Sequence, residues 1–410
     1  MFIFYRENAR WLLGGFLLAL FSGFGQTFYI SIWGAEIRET FSLSHGEFGQ
    51  VYMVATLASA ATLPFLGRIV DLISVAKTSL IVISVLAVAC AMMGVINSVA
   101  LLIFNIYLLR LFGQGMMTHT AMTAMGRWYS ANRGKAVSAA SIGHQFSEGI
   151  FPSVFVAIAA LIGWRYSWFA ASAVLIVVAL PVILLLMRVE RVPLAKVSSD
   201  HKPLETGRQW TRAEMLRDSL FWLTCIGVFS PAFIGTSIFF HQDYLVETNG
   251  WEPQLYYTSF ALMAMTTVVV SLLTGLAIDR WSAVQVLPFF LVPLSCACFV
   301  LGSFSQPAMI FVFMVLLGFS YGISSPLFGA IWPETYGTRH LGSVRAVTVS
   351  MMVFMSAAGP GVTGVLIDLG IPFQTQLIAI GFFCIGAVVL MSLASRLYQR
   401  RLELKYEAPA

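Results

Sequence analysis

The sequence predicts an all-α membrane protein of twelve transmembrane helices in two pseudo-symmetric six-helix bundles, and three observations predict it. The chain is 58% hydrophobic and only 10% charged, with a mean hydropathy of +0.83, far outside the soluble globular range. It divides into twelve apolar runs of about twenty residues, each long enough to cross a hydrocarbon core. Polar motifs that punctuate the first six runs recur among the last six.

The first run, Trp11 to Trp33, follows Arg6 and Arg10; it is too long for a signal-peptide core and is expected to stay as an anchor. Further spans are expected at about 46–66, 78–97, 99–125, 135–161 and 165–187. The second half supplies 220–244, 254–277, 284–304, 307–331, 343–367 and 372–395. The expected domains are thus 1–187 and 219–396, joined by a linker at 188–218 and followed by a tail at 397–410. Within the linker, Thr211 and Glu214 have the spacing of a capping box, in which a hydroxyl accepts from a first-turn amide and a carboxylate reaches back; a short surface helix is expected there.

Twelve spans put both termini on one side. If that side is the cytoplasm, 21 of the 24 Lys and Arg are cytoplasmic, the outer side keeps Arg38 and Arg165, and Arg110 lies within the membrane. A plasma membrane of the bacterial inner-membrane type is the expected location. The net charge of +5 is explained by basic loops facing anionic lipid, and no nucleic-acid partner is implied.

The repeat is clearest in the loops. Gly67-Arg-Ile-Val-Asp71 after the second span recurs as Gly275-Leu-Ala-Ile-Asp279-Arg280 after the eighth, offset by 208 residues. The basic turn carrying Arg133 recurs around Arg339. The glycine is expected to allow close helix approach, and the aspartate to meet a neighbouring helix N-terminus or an arginine. These residues are candidate gating elements.

Five cysteines fall inside apolar runs and act as small hydrophobes; no disulfide, metal site or cofactor is implied. The absence of a nucleophile-base or metal constellation argues against an enzyme.

Arg110 and Glu148 stand near the middle of adjacent runs, so opposite charges are expected at similar depth. An arginine at a helix centre costs roughly 2.5 to 3.5 kcal/mol to insert, which favours pairing it or facing it into a cavity. A structural ion pair is the plain alternative to a functional one. On the fifth run Ser138, Ser141, His144, Gln145 and Glu148 form a polar stripe. The fourth offers Tyr107, Arg110 and Gln114, the first Gln26 and Tyr29, the eighth Tyr257, and the tenth Tyr321 and Ser325. All are candidate substrate contacts, with Glu148 the candidate proton carrier. Helix-to-helix bonding would equally explain His144 and Gln145, and packing Tyr321. His241, at the outer end of the seventh run, suits a gate or a surface role.

With these motifs the chain resembles the major facilitator superfamily over essentially its whole length. Arg110 with Gly113 and Gly115 is similar to that family's arginine-glycine motif, and the two GxxxD loops to its loop signatures. Arg127 to Ala136, Glu214 to Trp222, His241 to Leu245 and Trp332 to Arg345 resemble the monocarboxylate and oxalate/formate porter branch. The resemblance implies two bundles rocking about a central site. Leu72 stands where the first loop usually has a basic residue, and the antiporter signature is only partly echoed by Gly143, Gly149 and Pro152.

The oxalate-type porters carry further basic residues in the eighth and eleventh helices, whereas here the eighth has none inside and Arg345 sits only at the start of the eleventh. One buried cation suits one carboxylate. The expected function is therefore secondary transport of a small organic monoanion by alternating access, coupled to protons and performed by a monomer. Ionised Glu148 is expected to occupy Arg110 and, once protonated, to release it to the substrate. An exporter of drugs or hydrophobic metabolites is the rival reading. A transporter-like sensor belongs to another class and would need a long extension, whereas fourteen residues follow Arg396.

Overall fold

The computed structural model describes residues 2–129, 133–189, 191, 209–337 and 340–406, and everything regular in them is helical. Helix α1 is a bent pair, Ala9–Gly25 and Thr27–Phe41, kinked by 44°. It is followed by α2 (His45–Leu66), α3 (Val75–Met93), α4 (Val99–Trp128), α5 (Arg133–Ile162) and α6 (Trp164–Met187). Then come α7 (Ser219–Phe240), α8 (Pro253–Trp281), α9 (Val292–Ser303), α10 (Ala308–Tyr336), α11 (Leu341–Asp368) and α12 (Phe373–Tyr406).

Ten of these helices are long and apolar enough to cross a membrane, and the bent α1 makes eleven. The ninth expected span, 284–304, is shortened to α9, 12 residues long, because Pro288 and Pro293 interrupt the run. A proline removes an amide donor and clashes with the preceding turn. Side chains such as Val177, Leu185, Leu272 and Phe382 are exposed on the helix surfaces, as lipid-facing residues must be.

Capping residues set the helix starts. Ser44 accepts from the Glu47 amide at 3.1 Å while the Glu47 carboxylate accepts from the Ser44 amide at 2.8 Å, which opens α2. The expected capping box at Thr211 is formed in the same way and opens a short helix, Arg212–Arg217. Of the expected linker, residues 190 and 192–208 lie outside the described residues.

Two compact units make up the chain. The first contains residues 1–199 together with 239–261 and 360–365; the second contains 200–238, 262–359 and 366–410.

Candidate functional site

Two irregular helices meet at Arg110. Ser22-Gly-Phe-Gly25 loosens α1 into a 3-10 turn, and at Gln26 the backbone becomes extended, which breaks the helix. Opposite it, Leu109–Met117 of α4 is wound as a π-helix. Both departures leave backbone groups unpaired within the membrane, a cost tolerated where protein groups satisfy them. Here they are brought together by two glycines. A Cβ on Gly25 would lie 2.1 Å from the Leu109 carbonyl oxygen and 2.7 Å from the Gly113 Cα, so no larger residue fits.

The Arg110 guanidinium points at the break. Its NH1 group donates to the Gly25 carbonyl and to the Thr27 hydroxyl, both at 3.3 Å, and its plane lies 5.3 Å from the Tyr52 ring centre. The Thr27 and Tyr52 hydroxyls are hydrogen-bonded at 2.5 Å. Arg110 is 2% exposed, and its Nε is buried without an acceptor. A guanidinium offers five donors in a planar fork, and here two are spent on neutral oxygens.

Glu148 corrects an expectation. It is 7% exposed but is not paired with Arg110; among the described residues it makes neither a hydrogen bond nor an ion pair. Arg110 turns toward the broken α1 because the carbonyl freed there is the acceptor within reach. The expected exchange of Arg110 between Glu148 and a ligand therefore has no pair to start from.

The remaining candidates are dispersed. Gln26 sits at the break, 8% exposed, and the Gln114 backbone lies against Gly25. Tyr107, one turn before Arg110, donates to the Thr62 hydroxyl at 3.3 Å. Tyr29 is fully buried among Phe24, Phe155 and Trp168, in an aromatic core. His144 lies 6.1 Å from the Phe28 ring, and Gln145 is half-buried beside it on α5. Tyr257 lines a cavity at the end of the first unit farthest from the N terminus. In the second unit, the Tyr321 hydroxyl fills the space beside Gly235, and Ser325 is exposed.

His241 belongs to a closure within the first unit. Its Nε2 and the Thr363 hydroxyl are 3.0 Å apart, and it is 1% exposed. Arg38 donates to Asp243 at 2.8 Å, and Phe240 packs 4.8 Å from Phe48 and 4.9 Å from Tyr52. A Cβ on Gly49 would meet the Pro360 carbonyl at 2.4 Å. Tyr52 thus touches both the closure and Arg110.

The repeated loops differ from each other. At Gly67 a Cβ would stand 3.2 Å from His119 Nε2, a close approach as expected, and Arg127 donates to the Val70 carbonyl at 3.2 Å. At Gly275 a Cβ would meet nothing within 4 Å, which corrects that expectation. Asp279 and Arg280 are exposed, and Arg280 lies 5.6 Å over Trp281. The expected contact of Asp279 with a helix N-terminus is replaced by Glu334, whose carboxylate accepts from the Ala283 and Val284 amides at 2.8 and 3.3 Å. Arg339 and the side chains of Asp71 and Arg133 lie outside the described residues.

Thr27, Tyr52 and the Arg38–Asp243 pair escaped the sequence reading. A signal existed for the first, since Ser-Gly-Phe-Gly in mid-span is a helix breaker with Thr27 just beyond it.

Residues 15–360 match the Major Facilitator Superfamily. A bacterial homologue of the human lysosomal transporter Spinster, solved inward-facing and unoccupied, superposes with a TM-score of 0.73 at 16% identity, over 98% of this chain and 99% of that one. The nucleoside transporter NupG superposes with a TM-score of 0.67 at 13% identity, over 97% and 100%. At these identities the likeness is one of fold. No curated protein matches the chain.

Proposed function

The chain belongs to the major facilitator superfamily of secondary transporters, and we propose that its solute is a small organic monoanion that crosses together with a proton. The observation that carries the reading is Arg110, a buried guanidinium that pairs with no carboxylate among the described residues and has an unsatisfied Nε, at the junction of two irregular helices. A charge left uncompensated inside a membrane protein costs several kcal/mol, and an entering carboxylate offsets that cost where water cannot. Discontinuous helices at mid-membrane are where secondary transporters build their sites. The resemblance to monocarboxylate porters supports the same class of solute.

Glu148 carries the proton in this reading, without ever binding Arg110. Protonated, it leaves Arg110 as the site's one charge to be matched by the anion; ionised, it matches that charge through space and lowers anion affinity. Its burial without a cationic partner supports this role. Gln26 and Gln114 border the anion, and Tyr52 relays its arrival to Phe240 and the closure around His241. Gly67, Asp71, Gly275, Asp279, Arg280, Arg133 and Arg339 are the gating elements of this reading, on the strength of the repeated loops they belong to. The lopsided Lys and Arg count supports cytoplasmic termini and a plasma-membrane location, which makes the His241 end the outer one.

The test is a thermal-shift screen of the purified protein against small carboxylates, amines and neutral solutes. Stabilisation by monocarboxylates that is lost in Arg110→Gln supports the reading. A neutral solute as the sole stabiliser overturns it.

A further inference from the structure

The closure around His241 contains a second histidine, His45, at the first position of α2. Arg38, near the end of α1, reaches it: the Arg38 NH1 nitrogen lies 3.1 Å from His45 Nδ1 and also donates to Asp243 Oδ2 at 2.8 Å. A guanidinium has donors and no acceptor, so Nδ1 is the acceptor and the imidazole is neutral, with its proton on Nε2. Gly34, one turn before Arg38, gives the carboxylate its room, since a Cβ there would stand 3.0 Å from Asp243 Oδ2. Tyr244 packs edge-on against the His45 ring at 5.0 Å, and the His241 ring lies 6.0 Å away. Three elements therefore meet at one nitrogen: α1, α2 and the segment between α7 and α8.

We propose that His45, Arg38 and Asp243 form a pH-sensitive latch, in which protonation of His45 displaces Arg38 and loosens the α7–α8 segment from α1. An imidazolium carries a proton on both ring nitrogens, so Nδ1 can no longer accept, and two cations are left 3.1 Å apart. The nitrogen that must then move is the one that holds Asp243, which pairs with no other cation among the described residues. His45 is half-buried and within reach of protons from water, whereas His241 is 1% exposed and bonded to the Thr363 hydroxyl. The latch does not depend on which solute binds at Arg110.

Glu36 of α1 and Glu247 of the α7–α8 segment act on Asp243 through space, and these like charges favour its departure once Arg38 has moved. Glu39 is exposed, and Glu47 of α2 is spent on the Ser44 amide at 2.8 Å. From α11 come Thr363 and no charged residue between 360 and 365. Neutral bonds hold the start of the segment: Gln242 donates to the Phe28 carbonyl and the Ser31 hydroxyl, both at 3.0 Å, and Ser31 donates to the Phe239 carbonyl at 2.6 Å. These bonds survive a change of charge at His45, so the loosening falls on the residues after Gln242.

Amide hydrogen exchange reads the latch directly. Full-length protein in phosphatidylcholine nanodiscs is exchanged between about pH 8 and about pH 5, the range in which an imidazole changes charge, and rates for residues 243–247 are corrected for the intrinsic effect of pH. In the wild type, corrected exchange is expected to rise about tenfold on acidification, as for the loss of one charge-assisted hydrogen bond. His45→Asn keeps an acceptor at the Nδ1 position and cannot be protonated, so slow exchange is expected at every pH. His45→Lys carries its charge throughout and is expected to exchange fast even at about pH 8. His241→Gln and Glu148→Gln are expected to keep the wild-type pH dependence, which separates the latch from the second histidine and from the proton carrier of the transport reading. A flat wild-type profile, a pH dependence that survives in His45→Asn, or one abolished by His241→Gln or Glu148→Gln overturns the proposal. A transition only below about pH 5 belongs to a carboxylate and overturns it equally.

Discussion

Arg401 grips Asp218 with two hydrogen bonds, of 2.6 and 2.9 Å, across 183 residues of sequence. In the first unit Arg191 reaches Asn8 across the same 183 residues, at 3.1 Å. Arg191 follows the last helix of its six-helix half and Arg401 lies near the end of α12, the last helix of the other; each holds the residue that immediately precedes the first helix. Each also lies over aromatic rings: Arg191 is 4.2 Å from the Tyr129 ring, and Arg401 is 5.1 Å from that of Trp210. The repeat legible in the loops thus extends to a clamp that closes each half, neutral in one and charged in the other.

The charged clamp sets a first prediction. Burial pushes the Asp218 carboxyl up, but hydrogen bonds from Arg401 and Tyr336 outweigh it and hold the group below the usual carboxylate range. Its stabilisation is fully present above the unfolded value of about 3.9 and fades as pH falls through the lower folded value. Asp218→Asn removes it at every pH, at a cost of about 1 to 3 kcal/mol. Thermal unfolding at neutral pH measures this. An unchanged melting temperature would show that the pair is ornamental.

The second prediction concerns glycine contacts. Gly25→Ala drives a methyl group into the Leu109 carbonyl, so the yield of folded protein should fall sharply. Gly275→Ala enters open space within a helix and should be neutral or stabilising, by up to about 1 kcal/mol. Size-exclusion profiles and melting curves compare them, and equal behaviour of the two variants contradicts the packing described.

Glu334 gives the third. Its carboxylate caps the amides of Ala283 and Val284, so Glu334→Ala should cost about 1 kcal/mol. Asp279→Asn, at an exposed position, should leave stability unchanged. If Asp279 gates the transporter, its substitution instead slows turnover. Stability measured in both variants separates the roles, and a larger loss at Asp279 would reverse the assignment.

Much of the fold was legible in the sequence because the bilayer imposes it: run length gives spans, and duplicated Gly and Asp give the repeat. The shortened α9 was legible too, in Pro288 and Pro293, had proline been weighed against hydropathy. The partners of Arg110 were less accessible. Its mid-span position marked it, but Glu148, one helix further on, was a better guess from charge than the Gly25 carbonyl, which becomes an acceptor only because α1 breaks. Tyr52 gave no signal, since an aromatic residue in an apolar run is ordinarily packing. Arg38 with Asp243, and Arg401 with Asp218, pair across about two hundred residues, and no local pattern encodes such contacts.

The central claim is that Arg110 is held open for an anion, and equilibrium binding tests it most directly. A monocarboxylate identified by thermal shift is titrated into wild type, Arg110→Gln, Arg110→Lys and Glu148→Gln, each checked for a wild-type melting profile without ligand. The account predicts loss of binding in Arg110→Gln and only partial recovery in Arg110→Lys, which lacks the bidentate fork. In Glu148→Gln, binding should persist and lose its dependence on pH. A folded Arg110→Gln protein that binds the anion as tightly as wild type would contradict the account.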